Sequence, residues 1–396
     1  CTSIMIYLDH HATTPVDPRV FSAMRPYLEA KFGNASSASH QLGREAADAV
    51  ARAREQIAQA VGAGSDDVVL TSGATESINL AVQGACRAAG GGRKRLITVA
   101  TEHSAVLQTC EAMAELGFET VVLPVQADGL LDLAVLRDAL ATPTLLVAVM
   151  AVNNELGVIQ PIQEIAALSH EAGALLLCDG AQAPGRVALA LRRWQVDLCS
   201  ITAHKCYGPK GVGALIVRRG TQLRPLLYGG GQERGLRPGT TAVPMVVALG
   251  ACMALAAAEQ AEDERRLRGL RDGLLARLQD NIEGLVVNGS LSARVGGNLN
   301  VSIPAVSAAT LMVALPDLAF SAGSACASGT PKPSHVLRAL GLADEAALSS
   351  IRLGLGRGTT PQEVDDAGSQ LIAEVSRIRA ASPLWALRQA GVQLRW

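Results

Sequence analysis

Lys205 stands at the centre of a polar and glycine-rich stretch, ITAHKCYGPKGVG, which runs from Ile201 to Gly213. It comes just after Val196 to Ser200, a segment with the length and composition of a short strand that ends at a crevice. A lysine amine, with an ordinary pKa of about 10.4, attacks a carbonyl well only if burial or a neighbouring cation lowers that pKa. His204 and Lys210 can supply part of that positive charge. The stretch indicates imine chemistry at Lys205, and it equally fits an exposed lysine in a loop.

Further polar clusters follow other apolar segments. Residues Ser72 to Thr75 form a loop of small residues before a helix, where free backbone N–H groups and hydroxyls favour a phosphate, although such residues most often only cap the helix. Asp179 follows an apolar segment directly and offers a carboxylate, which also fits a helix cap. His103, Asn154 and Gln182 also come after apolar segments of this kind. These positions are candidates for one shared site.

One ligand accounts for the whole set. Pyridoxal 5′-phosphate needs a lysine for its aldehyde, an anion pocket for its phosphate, a carboxylate at its pyridine nitrogen and a flat group over its ring. Lys205, the loop at 72–75, Asp179 and His103 match these four needs in that order. The sequence therefore predicts a pyridoxal-phosphate enzyme.

The elements that must position these residues are apolar strands that alternate with helices. Strands are predicted at 68–70, 96–100, 145–152, 175–178 and 198–202. This alternation predicts a mostly parallel sheet covered on both faces, and ligands of such sheets bind beyond the carboxyl ends of the strands. Ahead of them, a short strand at Ile6 to Leu8 leads into a loop able to reach the site, and an amphipathic helix spans Gly43 to Val61.

The later part of the chain has a different pattern of predicted helices and strands. Residues 243–280 are first apolar and then charged, and predict a pair of helices that leads from a buried core to a second domain. Strands at 298–303 and 350–355, with helices at 334–340 and 361–380, indicate a smaller α+β domain. We therefore expect a large domain over residues 15–255 and a small domain formed by residues 1–14 and 256–396.

Composition excludes several classes of function. The 396 residues carry a net charge of −1, which gives no sign of nucleic-acid binding or of a polyanionic partner. The apolar run at 242–258 contains Pro244 and is a little short for a membrane span, so it predicts a buried helix. The chain starts without the pattern of a signal peptide, and its eight cysteines form no CxxC pair. We expect a cytoplasmic enzyme with most cysteines in its core and no metal site.

The motifs together resemble the cysteine desulfurases of the NifS and IscS type, which are class V members of the fold type I pyridoxal-phosphate enzymes. The resemblance runs from about Ile6 to Asp366 and is carried by YLDHHATT, FGNASS, TSGATES, TEHSAV, NNELG, CDGAQ, AHKCYGPKGVGAL, GGGQERGLRPGT, GSACASG and IRLGLGRGTT. It implies an α/β fold with a mostly parallel sheet in the large domain, a smaller α+β domain, and a homodimer.

The resemblance also implies a role for each site position. At the cofactor ring it implies Lys205 as the imine-forming lysine, His103 stacked on the ring, Asp179 at the ring nitrogen and Gln182 at the phenolic oxygen. For the phosphate it implies Ala74, Thr75, Thr202 and His204, with Thr240 from the second subunit. For the carboxylate of the substrate it implies Asn154 and Arg352, assisted by Asn34.

Cys326, in SAGSACASGTPKPSHVL, matches the persulfide cysteine of this family. The small residues from Gly323 to Gly329 indicate a flexible loop from which the thiol attacks another sulfur. A cysteine with a pKa of about 8.5 is only a few per cent thiolate at neutral pH, yet that thiolate is very nucleophilic. The implied reaction converts L-cysteine to L-alanine and leaves the sulfur on Cys326. An acceptor protein such as an iron–sulfur scaffold would then take it for cluster or thio-cofactor synthesis.

Several positions depart from the family pattern. His10 and His11 stand where asparagine is common, Thr202 and Ala203 replace a serine–glycine pair, and Pro238 replaces a serine. None of these changes removes a required functional group. The C-terminal tail, SPLWALRQAGVQLRW, lacks the acidic and aromatic character of the housekeeping members, which leaves the scaffold partner open.

Three alternatives stand beside the leading hypothesis. A selenocysteine lyase would use the same residues, and selenocysteine stays open as an added substrate. A plain aminotransferase has no use for the Cys326 loop. A non-catalytic subunit that keeps the fold only to bind partners is disfavoured because Lys205, His103, Asp179 and Cys326 are all present.

Overall fold

The computed structural model describes residues 5–322 and 332–390. The strands in these ranges are β1 (Ile6–Tyr7), β2 (Val68–Thr71), β3 (Arg95–Val99), β4 (Glu119–Leu123), β5 (Leu146–Met150), β6 (Leu175–Asp179), β7 (Leu198–Thr202), β8 (Gly213–Val217), β9 (Val286–Val287), β10 (Asn298–Ser302), β11 (Leu318–Ala319), β12 (Ser321–Ala322) and β13 (Ser350–Gly354). The helices are α1 (Pro18–Glu29), α2 (Gln41–Val61), α3 (Ala74–Ala88), α4 (Ser104–Ala112), α5 (Leu133–Ala139), α6 (Ile162–Glu171), α7 (Val243–Asn281), α8 (Ala308–Ala314), α9 (His335–Ala339), α10 (Asp344–Leu348), α11 (Pro361–Ala380) and α12 (Pro383–Gln389).

The largest sheet has seven strands in the order β2-β8-β7-β6-β5-β3-β4. All neighbours from β7 to β4 pair in parallel, whereas β8 is antiparallel to both β2 and β7. Alternate residues of its strands enter different cores: Val147 and Val149 pack on one face, and Leu146 and Ala148 pack on the other. Because both faces are covered, the strands are continuous apolar runs. The predicted mostly parallel sheet is confirmed, and β4 and β8 are strands that the sequence analysis did not predict.

The polar clusters meet at one edge of this sheet. β5, β6 and β7 are parallel and end at Met150, Asp179 and Thr202. β2 is antiparallel to β8, which is antiparallel to β7, so β2 runs in the same direction and ends at the same edge with Thr71. Thr75, Asn154, Asp179, Thr202 and Lys205 lie at or just after the ends of these four strands, and His103 follows β3.

A second core lies beyond the large sheet. Its four-stranded antiparallel sheet has the order β12-β13-β10-β9, and a two-stranded parallel sheet pairs β1 with β11, with Ile6 opposite Leu318. Leu299, Leu353 and Leu371 are among the buried residues that fill this core. The predicted strands at 298–303 and 350–355 and the helix at 361–380 are present within one residue of the expected bounds.

Helix α7 joins the two cores as one element of 39 residues. The predicted helix pair was therefore wrong. Pro244 lies in the first turn, where its missing N–H breaks no helical bond, and buried Leu267, Leu274 and Leu278 keep a helical spacing through the charged half.

Among the described residues, α7 is also the one helix long and apolar enough to cross a membrane, judged by length and composition alone. Its apolar half instead packs inside the first core through residues such as Val246, Leu249 and Met253. The predicted buried helix at 242–258 is confirmed as the first half of α7.

Candidate active site

A cavity of about 480 Å³ opens at the carboxyl edge of the large sheet. The structure brings nine of the predicted site residues into its lining: Ala74, Thr75, His103, Asn154, Asp179, Gln182, Thr202, His204 and Lys205. These residues come from five separate segments of the chain, and each segment lies at or just after the end of a strand of the large sheet. The fold thus places an amine, a carboxylate, an imidazole and several hydroxyls around one space.

Lys205 ends the short 3-10 turn Ala203–Lys205, which follows β7 directly. Its side chain is half-buried, and burial lowers the pKa of its amine to about 8. The charge of Asp179 opposes this shift, while the charges of Arg186 and Arg352 strengthen it. About a tenth of the amine is therefore neutral at pH 7, and this is the form that attacks a carbonyl or accepts a proton.

The loop before α3 forms one end of the cavity. Gly73 has a φ of 150°, and the first turn of α3 has no side-chain cap. A Cβ on Gly213 would lie 2.7 Å from the Cα of Gly73, so β8 packs directly against this loop. Uncapped N–H groups at a helix N-terminus, next to the hydroxyls of Thr75 and Thr202, favour an anion.

Glu76 also reaches the lining of this end, and its negative charge is compensated. Its carboxylate accepts a hydrogen bond from the backbone N–H of Ser72 at 2.7 Å. It also forms an ion pair with Arg237, whose Nε lies 2.7 Å from Oε1. The carboxylate of Glu76 therefore adds no unpaired negative charge to the anion pocket.

Asp179 is held by two donors that both use the same oxygen. Its Oδ1 accepts hydrogen bonds from Ser200 Oγ at 2.7 Å and from the N–H of Ala181 at 3.0 Å. Because neither bond uses Oδ2, that oxygen is available to a donor in the cavity. The sequence analysis did not single out Ser200, although a serine inside the apolar strand LCSIT is the signal that could have found it.

His103 caps α4 and faces the cavity. Its Nδ1 accepts a hydrogen bond from the N–H of Ala105 at 3.1 Å, which leaves the ring proton of the neutral form on Nε2. Burial and the charge of Lys205 lower the pKa of the imidazole, Asp179 opposes them, and His335 adds to the decrease. The ring is therefore neutral at physiological pH.

Arg352 lies next to the cavity rather than in its lining. Its Nη1 donates to the backbone oxygen of Asn154 at 2.7 Å, and its Nη2 donates to Asp9 Oδ1 at 2.7 Å and to Ser321 Oγ at 3.1 Å. Its Nε is buried and has no partner among the described residues. A buried guanidinium N–H without an acceptor among the described residues is a donor that a ligand, a water or an ion has to satisfy.

Besides Arg352, two predicted residues of the described ranges, Asn34 and Thr240, lie outside the cavity lining. Asn34 is exposed, and its Oδ1 accepts a hydrogen bond from the N–H of Ser36 at 2.9 Å. Thr240 is exposed in the segment that precedes α7. Cys326 lies in the range 323–331, outside the described residues. The roles expected of these three positions stay predictions.

Comparison with known proteins identifies the family of the chain. Residues 6–366 match the family model for class-V aminotransferases. A cysteine desulfurase IscS from Dechloromonas aromatica is 50% identical over 392 residues, which cover 98% of this chain and 96% of the relative. The chain belongs to the class-V aminotransferases, among the cysteine desulfurases. The predicted family, pyridoxal-phosphate cofactor and cysteine desulfurase activity are thereby confirmed.

Solved structures agree with this family assignment. A NifS-like protein superposes with a TM-score of 0.89 at 34% identity, covering 94% of this chain and all of that one. A protein described as SspA in complex with cysteine has a TM-score of 0.77 at 33% identity, covering 88% of this chain and 98% of that one. The predicted fold class is confirmed.

The cavity of this cysteine desulfurase fits pyridoxal phosphate by the chemistry of its donors. The α3 end offers N–H groups and hydroxyls for a phosphate, the free Oδ2 of Asp179 suits a pyridinium N–H, and the amine of Lys205 suits an aldehyde. Its volume is that of a typical site for a small organic molecule. The residues present therefore match the cofactor of the family.

Two buried acids of this cysteine desulfurase were missed by the sequence analysis. Glu155 accepts a hydrogen bond from Ser334 Oγ at 2.6 Å, and burial raises its pKa to about 7 against the opposing effects of Ser334 and Arg352. The backbone oxygen of Glu102 accepts a hydrogen bond from His335 Nε2 at 2.9 Å. The motifs NNELG and TEHSAV thus contact the start of α9. An acid within a motif next to an apolar strand is the signal that could have found Glu155 and Glu102.

The cysteines of the described ranges are structural. Cys86, Cys110, Cys178, Cys199, Cys206 and Cys252 are all free and buried. Burial raises the pKa of Cys86 and of Cys110 to about 12, which keeps both as thiols. No group of three or more potential metal ligands occurs within the parts of the chain that the structure describes.

Proposed function

We propose that this protein takes the sulfur of L-cysteine, releases L-alanine and carries the sulfur as a persulfide on Cys326. The relatives named cysteine desulfurases and the solved relative in complex with cysteine support this proposal. The observation that carries it is the setting of Lys205, a half-buried amine with a pKa of about 8 that shares a cavity with Asp179 and an uncapped helix N-terminus.

Different residues of the cavity would hold different parts of the cofactor. When bound, pyridoxal phosphate supplies an electron sink for the substrate carbon. Ala74, Thr75, Thr202 and His204 would hold its phosphate, Gln182 its phenolic oxygen and Asp179 its ring nitrogen. His103, as a neutral ring, would lie over the cofactor ring. Lys205 Nζ would hold the cofactor at rest and then move a proton from the substrate carbon, because its lowered pKa makes it a suitable base.

The substrate carboxylate would bind at Arg352 and Asn154. The unpartnered Nε of Arg352 is the donor that this role requires, and the bond from Nη1 to the backbone of Asn154 fixes the two residues relative to each other. A guanidinium is better suited to a carboxylate than an ammonium because its donors lie in one plane. Asn34 is exposed, so we propose only an assisting role for it.

The sulfur would then pass to Cys326. Its thiolate attacks the sulfur of the substrate, so an S–S bond forms while the C–S bond of cysteine breaks. The electron pair of the broken bond stays on the substrate carbon, and protonation there gives alanine. A thiol of an acceptor protein, such as an iron–sulfur scaffold, would take the outer sulfur in a second exchange.

We further propose a cytoplasmic homodimer in which Thr240 reaches the phosphate end of the other subunit's cavity. Thr240 is exposed and outside its own cavity, and Tyr228 on the same segment is 83% exposed, so both are open to a second subunit. Two domains, residues 15–255 and residues 1–14 with 256–396, are supported by the two cores that α7 joins. Sedimentation that shows a monomer with tightly bound cofactor would contradict the dimer.

The first experiment tests the lysine. The purified protein should be yellow, and borohydride should fix the cofactor onto Lys205, which mass spectrometry locates. Lys205→Ala should lose the adduct, whereas Lys210→Ala, a change to an exposed lysine in the same loop, should keep it. An adduct on Lys210 or on no residue would refute the assignment.

The second experiment separates cofactor chemistry from sulfur transfer. Cys326→Ala should keep the cofactor band and its response to cysteine, yet lose alanine formation by about a hundredfold or more, as expected when a nucleophile is removed. Alanine and sulfide are measured beside the absorption spectrum. Alanine at the wild-type rate would show that another group accepts the sulfur.

A further inference from the structure

His11 contacts both ends of the side-chain amide of Gln182, a residue 171 positions later in the chain. Gln182 Nε2 donates a hydrogen bond to the backbone oxygen of His11 at 2.8 Å. On the other side of the amide, Gln182 Oε1 lies 3.4 Å from His11 Nδ1. Both residues are buried, and Gln182 lines the cavity. The imidazole therefore forms the wall behind a group that faces the active site.

The hydrogen-bond partners decide which nitrogen of His11 carries the proton. His11 Nε2 lies 3.4 Å from the backbone oxygen of Gly297, which already accepts a bond from the N–H of Leu355 at 2.8 Å. Gln182 Oε1 has no other donor within the described ranges. A neutral imidazole has a single N–H, and a buried acceptor without a donor is costly. This balance favours the tautomer with the proton on Nδ1, from which it is donated to Gln182 Oε1.

The surroundings of His11 keep the ring neutral and in place. Burial lowers the pKa of the imidazole well below its ordinary value, the charges of Arg186 and Arg352 lower it further, and the contacts with Gln182 and Gly297 oppose them. On a third side the ring packs against β13, where a Cβ on Gly354 would lie 2.8 Å from His11 Cδ2. The contacts on these sides hold the ring in place, and burial keeps it neutral.

We propose that His11 is a positioning residue that fixes the amide of Gln182 so that an N–H group, and not the carbonyl oxygen, faces the cavity. Of the two hydrogens on Gln182 Nε2, one is used by the backbone of His11 and the second is left for a ligand. The oxygen Oε1 is turned away and held by Nδ1.

This inference rests on the proposed function, in which Gln182 lies at the phenolic oxygen of the cofactor. An N–H group at that oxygen stabilises its negative charge, whereas a carbonyl oxygen would repel it. The orientation set by His11 should therefore keep the bound cofactor deprotonated at lower pH than a freely rotating amide would.

The experiment is a spectroscopic pH titration of the cofactor-loaded protein. His11→Leu has a similar branched shape and no donor, so it should raise the midpoint of the cofactor band by about one pH unit, a tenfold change in proton affinity, as expected for one hydrogen bond to a charged group. His11→Asn is the matched control, because its Nδ2 takes the position of Nδ1 and restores the donor. Its midpoint should stay at the wild-type value.

Two further variants keep the test decisive. Gln182→Leu should shift the midpoint in the same direction as His11→Leu, and His11→Met replaces His11→Leu if the latter does not fold. A wild-type midpoint in His11→Leu or His11→Met, together with a shifted one in Gln182→Leu, would overturn the inference and leave the role of Gln182 intact. Equal shifts in His11→Asn and His11→Leu would also overturn it. A wild-type protein with neither a cofactor band nor an adduct on Lys205 would overturn the proposed function and this inference with it.

Discussion

Replacing Lys205 with methionine is expected to stabilise the cofactor-free protein at pH 7. Burial lowers the pKa of the amine to about 8 in the folded state, Asp179 opposes the shift, and Arg186 and Arg352 add to it. In the unfolded chain the pKa is about 10.4. Between these two values the unfolded state binds more protons, so stability rises with pH over this window. Below pH 8 the lysine therefore lowers stability by the full effect of the shift.

The size of the effect follows from the shift in the pKa. A shift from 10.5 to about 8 corresponds to roughly 3 kcal/mol at about 1.4 kcal/mol per unit. Because the side chain keeps some contact with water, we reduce the expected gain at pH 7 to about 2 kcal/mol. Methionine has a similar length and no charge, and any gain from its apolar burial does not depend on pH. The pH-dependent part of the gain is thus the signature of the buried amine.

Urea unfolding of the two cofactor-free proteins at pH 7 and pH 9.5 measures this gain. The advantage of Lys205→Met should fall by more than half between these values, because the folded lysine is neutral at the higher pH and only the unfolded chain still binds the proton. Lys210→Met changes an exposed lysine of the same loop and should show no such gain. An advantage of equal size at both values, or lower stability of Lys205→Met at pH 7, would refute the reasoning.

Two other substitutions test the framework around the site. Asp197→Asn should lower the free energy of unfolding by about 3 kcal/mol, because the carboxylate is fully buried and paired with Arg218. Asp344→Asn, in an exposed ion pair, should change the free energy of unfolding little. Urea unfolding compares the two variants, and equal effects would contradict the argument. Gly213→Ala should weaken retention of the cofactor during dialysis, because a methyl group would lie 2.4 Å from the backbone oxygen of Ile201 in β7 and 2.7 Å from the Cα of Gly73, and would displace the anion loop and the end of β7. Wild-type absorbance after dialysis would contradict this expectation.

The arrangement around the cavity was predictable because parallel strands share a direction. Asp179 and Thr202 end neighbouring strands, and Thr75 and His103 follow two others, so a correct strand assignment is enough to bring them together. Lys205 needs only the three-residue turn after β7 to reach the same space. The local apolar pattern predicts the strands, and the rule that ligands bind beyond the carboxyl ends of parallel strands predicts where the site lies.

Other features had no local signal. The contact of His11 with Gln182 joins segments 171 residues apart and depends on side-chain orientation, which a residue pattern does not encode. The continuity of α7 depends on two cores that bury opposite ends of the same helix, so the change from apolar to charged composition suggested a break that does not exist. Thr240 and Asn34 lie outside the cavity of their own chain, and only a partner or a ligand would bring them to a site.

The parallel pairing of β1 with β11 has a consequence for how the protein is made. Ile6 leaves the ribosome more than three hundred residues before its partner Leu318. At about 5–20 residues per second, that interval lasts roughly 15 to 60 seconds. All seven strands of the large sheet, which ends in sequence at Val217, are available for folding during this time. The segment that carries β1, and His11 with it, therefore reaches its final place only after Leu318 has been made.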